Sequence, residues 1–389
     1  MILREWWLQR ECNSREGVHV STKLTVLKIL AVGFVLSTWT LTSLGASWNL
    51  TGSMGSSRID FSTALLGDGK VLVCGGAPYN SYPISGCELY NPTTGTWSST
   101  GSMNDARKAF RMVRLQDGRV LALGGTATGG GTLSTAEIYN PNSGQWATTA
   151  SMDSARHSFA AVLLQDGHVL VAGGNAGIAL LSGCELFNPT SSTWSATGDL
   201  NDARFGFGAA LLGNGKVLAT GGTSFGSTVL NTAEVYDPAT GSWNLTGSMN
   251  DAGRGFGLAV ISSSYSVTKV LRAGGRGYAG QYLSIAEIYN SSTGQWTLTT
   301  SMGGARAGFG LARLPNGNLF AAGGEYGVQV LSTAEEYNIS AGTWASRPSM
   351  NSARTGFGLL LLPTEGVLIA MGGKTAGGGI TSTAERYTP

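Results

Sequence analysis

Short apolar runs broken by tight polar turns recur along most of the chain. Residues 203–249, ARFGFGAALLGNGKVLATGGTSFGSTVLNTAEVYDPATGSWNLTGSM, show the pattern in one stretch. FGFGAALL is followed by Asn214-Gly215 and then KVLATGG. Asn-Gly or Asp-Gly between apolar strands signals a hairpin, because both turn residues must take positive φ, and Asp117-Gly118 and Asp166-Gly167 repeat the signal. The third piece is TAEVYDP, turned by PATG, and the fourth is SWNLTGSM. Gly-Gly pairs begin at Gly75, Gly124, Gly173, Gly221, Gly274, Gly323 and Gly372, at spacings of 49, 49, 48, 53, 49 and 49. Trp48, Trp97, Trp146, Trp194, Trp243, Trp296 and Trp344 form a second series, each six residues before a Met or Leu. Four antiparallel strands per repeat, seven times over, predict an all-β, seven-bladed propeller.

Closure supports the count. The chain stops at STAERYTP, the end of a third strand, and the missing Trp-bearing fourth strand lies at the other end, around Trp48. The N-terminal strand is therefore expected to complete the last blade.

Composition agrees with this architecture. Gly makes up 59 of 389 residues and charged residues only 12%, against usual shares near 7% and about 25%. Abundant Gly argues against a helical protein, and 42% hydrophobic residues with little charge argue against disorder. The net charge of +2 removes the electrostatic term that dominates nucleic-acid binding, so no nucleic-acid partner is expected.

Residues 1–46 read as a leader, ahead of a propeller domain over 47–389. Lys23 and Lys28 precede an apolar run from Ile29 to Leu44, and Gly45, Ala46 and Ser47 follow it. A basic flank, a short apolar core and a small-residue exit mark a secretory signal. The 16-residue run is short for a span, which needs about 20 residues; a tilted signal anchor is the alternative. Both readings place the rest of the chain outside the cytoplasm, secreted, periplasmic or at the cell surface, with membrane contact only through an uncleaved leader. Residues 1–46 hold five basic and three acidic residues, leaving 20 of each sign in the remainder.

The Gly-Gly ending of the second strand, the E-x-Y-x-P of the third and the Trp of the fourth together resemble the kelch repeat, over nearly all of 47–389. The resemblance is closest to bacterial extracytoplasmic kelch proteins. It implies the galactose oxidase/kelch superfamily fold, used mostly as a binding platform and in a few members for catalysis. Fold alone does not assign function, which must be argued from a site.

Arg58, Arg107, Arg156, Arg204, Arg306 and Arg354 each open an innermost strand, four residues after the Met or Leu of the preceding one. Blade five departs, with Gly253 in that place and Arg254 next. Six arginines at this position are expected to ring one mouth of the central channel. One reading is an anion-attracting funnel. The favoured one pairs each Arg with a recurring third-strand Glu (Glu88, Glu137, Glu185, Glu234, Glu287, Glu335, Glu385), because a fork donor and a carboxylate in near-equal numbers suit bidentate locking of strands. The recurring Phe, Trp and Tyr are likewise read as packing between blades.

Function should lie where the repeats differ. Loops between second and third strands vary most, and four of the seven are bland. Loop 77–85 carries Tyr79 and Tyr82. Loop 276–284 carries Arg276, Tyr278, Gln281 and Tyr282, loop 325–332 adds Glu325 and Tyr326, and Lys374 opens the next. Blades five, six, seven and one are consecutive, so these residues are expected to form one aromatic, charged sector. Tyr with Arg is a composition favoured in binding hot spots.

Catalytic and metal signatures are sparse. His157 and His168 belong to one blade at opposite ends of a hairpin, no Cys/His cluster has zinc spacing, and no calcium loop is present. No metal or cofactor is expected. Cys74 and Cys87 flank loop 77–85 on antiparallel strands and could form a disulfide. The favoured alternative is two small buried residues, since Cys87 and Cys184 stand where other repeats have Ala. The resulting expectation is a monomeric binding module that takes a glycan or a protein on its variable-loop face. The alternatives are a sugar-active enzyme with an acid/base site near Arg276 and Glu325, resembling the oxidase or isomerase kelch proteins, and a purely structural or adhesive surface protein.

Overall fold

The computed structural model describes residues 45–78 and 82–389. The leader reading falls almost wholly outside the described residues. Among the described residues no helix is long and apolar enough to cross a membrane.

Seven four-stranded antiparallel sheets follow one another along the chain. Blade one consists of Ser62–Leu65, Val71–Cys74, Cys87–Asn91 and Thr96–Thr100. Blade seven takes Gly358–Leu362, Val367–Met371 and Ala384–Thr388 from the C-terminus, and its fourth strand, Ser47–Thr51, from the N-terminus. Trp48 lies opposite Tyr387 in that closing pair. First strands of successive blades pack on one another around the axis, so the first strand is innermost and the Trp-bearing strand outermost. Second strands such as Val71–Cys74 and Val120–Leu123 are buried along their whole length, because neighbouring sheets cover both their faces.

The Gly-Gly pairs let the second strand end against the next blade. Gly75 and Gly76 take φ of 64° and 82°, and a Cβ on Gly75 would lie 2.5 Å from the Arg107 carbonyl oxygen. The Gly76 N–H donates to that same oxygen at 2.9 Å. No other residue combines positive φ with so close an approach.

The six arginines do not ring an open mouth. Arg58, Arg107, Arg156, Arg204, Arg306 and Arg354 are each at most 1% exposed, so they form no funnel for anions. Arg107 shows what they do instead. Its Nη1 donates to the Gly124 and Thr135 carbonyls at 2.9 and 3.0 Å, and its Nη2 to Glu137 Oε1 at 2.8 Å. Glu137 in turn accepts the backbone N–H groups of Asn104 and Asp105. One ion pair thus ties the loop entering the blade to both ends of the second-to-third-strand loop. What rims the channel is the residue two positions further on. Asp60, Ala109, Ser158, Gly206, Gly255, Gly308 and Gly356 all have φ between 52° and 62°. Five backbone N–H to C=O bonds of 2.8–3.3 Å link them from blade to blade.

Blade five keeps the pair by another route. Arg272, on the second strand directly opposite Glu287, is fully buried and reaches that carboxylate at 3.4 Å. A side chain on Gly253 would collide with it. Burial pulls the Arg272 pKa below the ordinary arginine value, against Glu287 and Asp251, which hold it up. Val or Ala fills the Arg272 position in every other blade. Arg272→Ala leaves the buried Glu287 carboxylate without its counter-charge and should cost about 3–5 kcal/mol. Gly253→Arg added to it rebuilds the arrangement of the other blades and should recover most of that loss, read by denaturant unfolding of both single variants and the double variant.

Outer strands are clasped by a second repeating bond. Thr51, Thr100, Thr197, Thr246 and Thr299 share hydrogen bonds of 2.7–3.0 Å with Tyr90, Tyr139, Tyr236, Tyr289 and Tyr337 of the next blade. Phe187 replaces the tyrosine in blade three, and the buried Thr149 hydroxyl facing it has no partner. Phe187→Tyr should therefore stabilise the protein by about 1 kcal/mol, seen as a higher unfolding midpoint that disappears when Thr149→Val is added.

Candidate functional site

The loops joining second to third strands share one face with the loops entering each blade, because short antiparallel bridges join them. Arg254 pairs with Arg276, Ala307 with Glu325 and Thr355 with Lys374. On this face the structure brings four of the expected residues together across the boundary between blades five and six. The Arg276 guanidinium donates to a Glu325 carboxylate oxygen and to the Tyr282 hydroxyl. It also sits 4.6 Å from the centre of the Tyr282 ring. Tyr282 packs against Tyr326 with ring centres 5.5 Å apart, and its hydroxyl donates to the Gly327 carbonyl at 3.1 Å. Glu325–Tyr326 and Gln329–Val330 form a two-stranded hairpin that holds the second half of this cluster.

Partial burial raises the Tyr282 pKa above the ordinary tyrosine value; the Glu325 carboxylate pushes it further up, against the pull of Arg276. Arg276 and Glu325 are thus engaged with each other and serve to fix the two tyrosines.

Other expected residues lie apart from the cluster. Tyr278 occupies a 3-10 turn, Tyr278–Gly280, and is 77% exposed. Lys374 is exposed, and among the described residues no carboxylate lies within 4 Å of it. Tyr82 is exposed in blade one, and Tyr79 lies outside the described residues. Cys74 and Cys87, opposite one another in the register, are joined by a disulfide, which corrects the favoured reading of two small buried thiols. The facing pair elsewhere is never Cys–Cys: Cys184 faces Ala172 and stays a free, buried thiol. Burial raises its pKa to about 11.

Two loops that look bland in sequence are not bland on the surface. Ile178 in blade three and Phe225 in blade four are exposed, the first completely. Between them lies an open groove of about 240 Å³ lined by Asn175, Leu180, Phe205 and Thr223. With Tyr82, Tyr278, Tyr326 and Val328, large apolar or aromatic tips stand on five of seven blades. A larger cleft of about 560 Å³ lies on the opposite face, among the first-hairpin turns of blades two and three, where Asp117 pairs with Arg119 and Asp166 with His168. Those turns repeat a position held by Asp68 and Lys70 in blade one, and are part of the repeat.

The Kelch motif family model matches residues 113–153, 204–250 and 311–351. The chain is a seven-bladed β-propeller carrying Kelch motifs. No curated protein sequence matches it. Among solved structures it is similar to a fungal alcohol oxidase described as showing catalytic diversity among the AA5 family, in complex with copper. That chain is 16% identical, with a TM-score of 0.73, over 88% of this chain and 76% of the other. The likeness is one of fold. Among the described residues no three His, Cys, Asp or Glu side chains are placed to hold a metal ion, and His157 and His168 sit at opposite ends of the hairpin formed by Ala160–Leu163 and Val169–Ala172. Placed so, these two histidines of the described residues are not positioned to share one copper ion.

Glu325→Gln removes the negative charge beside Tyr282. The phenol should then ionise at lower pH, visible as an earlier step in the alkaline absorbance titration of the variant minus the parent. An unchanged titration would show that the carboxylate does not act on that ring.

Proposed function

We propose that this propeller is an extracytoplasmic binding module and that its partner, a protein or a polymeric glycan, docks on the face bearing the second-to-third-strand loops. The ring of exposed tips carries the reading. Tyr82, Ile178, Phe225, Tyr278 and Tyr326 are large, project from five different blades and bury little surface in the free protein. Exposed apolar and aromatic groups mark interaction surfaces when they gather on one face, and these share the second-to-third-strand loop face. The groove between Ile178 and Phe225 is open, which favours a broad ligand over a small one. The Arg276–Glu325 pair adds rigidity beneath Tyr282 and Tyr326, so these rings lose little freedom on binding. Flat tyrosine faces suit sugar rings and peptide alike. A disulfide between Cys74 and Cys87 persists in an oxidising compartment and supports placement outside the cytoplasm.

A thermal-shift screen against oligosaccharides tests the glycan branch, since a ligand of the native state raises Tm by mass action. Tyr278→Ala and Phe225→Ala should each weaken binding by about tenfold or more while leaving the ligand-free Tm nearly unchanged. For a protein partner, photo-crosslinkers at positions 278 and 225 should capture it, and one at position 265, the exposed tip of the blade-five hairpin on the other face, should not. Equal binding by the parent and both Ala variants, or capture from position 265 alone, overturns the assignment.

A further inference from the structure

One innermost-strand position breaks the repeat inside the channel. Ser62, Ala160, Gly208, Gly257, Gly310 and Gly358 occupy it in six blades, and Arg111 in blade two. Where it is glycine the next blade closes over it: a Cβ on Gly208 would lie 2.8 Å from Leu258, and one on Gly310 2.5 Å from Leu359. The residue matching those leucines in the blade after Arg111 is Ala161. The neighbour has thus been cut back where the long side chain lies.

Arg111 is exposed although it belongs to an innermost strand, so its exposed surface faces the channel. Its Nε donates to the Phe159 carbonyl at 3.0 Å, which fixes the direction of the side chain. Its two Nη groups make no hydrogen bond among the described residues, and no carboxylate of those residues lies within 4 Å. Protein on every side pulls its pKa below the ordinary arginine value, and no counter-charge opposes that pull. The girdle arginines differ, since each is buried against its own glutamate.

The rim above Arg111 is uneven in the same sector. Four blades carry glycine at the left-handed rim position, but blades one to three carry Asp60, Ala109 and Ser158 there, at φ of 57°, 52° and 53°. Non-glycine residues held in that region cost energy and cluster at functional sites. A Cβ at Gly206 or Gly255 would meet nothing within 4 Å, whereas one at Gly308 would meet Thr355 and one at Gly356 would meet Ile59. Ser158 shares a 3.1 Å hydrogen bond with His157 Nδ1. Burial raises the Asp60 pKa, and Lys108 beside it opposes the rise. Among the described residues neither Lys108 nor Arg111 has a carboxylate within 4 Å.

We propose that the channel behind this rim binds a small oxyanion, a phosphate, sulfate or carboxylate group, anchored by the free Nη pair of Arg111 with Lys108 and Ser158 at the entrance. The site is separate from the loop tips, and neither reading depends on the other. A guanidinium whose outer nitrogens are unfilled presents the two parallel donors that oxyanions take. Its placement in a protein-walled channel strengthens the attraction relative to open water.

Inorganic phosphate is the probe. Its 31P line should broaden saturably with the parent protein and not with Arg111→Gln. Arg111→Lys keeps the charge and loses the fork, and should bind about tenfold more weakly, the size of one charge-assisted hydrogen bond. Displacement by sulfate tells whether a second tetrahedral anion enters, and displacement by glucuronate tells whether a carboxylate does; either sustains the site. Tyr278→Ala should leave phosphate binding intact. Arg111→Gln should also melt no lower than the parent in phosphate-free buffer, because among the described residues the charge it removes has no ion-pair partner. Equal broadening by parent and Arg111→Gln overturns the proposal, as does broadening that never saturates. If Arg111→Gln fails to fold, unchanged affinity in Arg111→Lys does so instead.

Discussion

The buried arginine–glutamate pair is the interaction on which the remaining structure depends. It stands in every blade, six times with the arginine on the entering loop and once with Arg272 on the second strand. Such a pair adds little net stability over apolar packing, because desolvating two charges offsets their attraction. Its value here is geometric. Backbone N–H and C=O groups of two loops converge on one guanidinium and one carboxylate, so loops that would otherwise move independently are held on a common floor. The variable tips stand on that floor, and their sequence can change without loss of the blade beneath.

The architecture was legible because a repeat multiplies weak signals. A single Gly-Gly pair or a single Trp decides little, whereas seven of each at nearly constant spacing define the strands, and the Trp48 strand identifies the closing blade. The positions that the sequence reading missed are of another kind. Arg272 is invisible to a search for the entering-loop arginine, because its role is visible only once strand register sets it opposite Glu287. The Cys74–Cys87 bond depends on the same register, which shows that Cys184 faces Ala172 and so has no mate. Ile178 and Phe225 lie in loops whose small, uncharged neighbours mask them, and exposure is a property of the folded surface. Arg111 could have been found by aligning the seven units, but its meaning needs the matching Ala161 and the absence of a nearby carboxylate among the described residues.

Two kinds of asymmetry are laid over this symmetric frame, and they differ in character. At the loop tips the departures are large, apolar and outward, on a surface with room for an extended partner. Along the axis Asp60, Arg111 and Ser158 are polar departures from the repeat in blades one to three. The fungal alcohol oxidase shares the fold at 16% identity, a likeness that by itself assigns no function.

The closing strand bears on how such a ring is made. Ser47–Thr51 pairs with Ala384–Thr388, so the first strand of the propeller to leave the ribosome has no sheet to join until the last one follows. Blades one to six can assemble in order of synthesis, each on its predecessor, while blade seven waits for both ends. The entropy of bringing those ends together is modest, roughly 2 kcal/mol more than closing a loop the size of one blade. The larger effect is temporal. An unpaired outer strand and an open flank of blade one persist through the whole of translation and any export, and the ring becomes resistant to unfolding and proteolysis only in its final step.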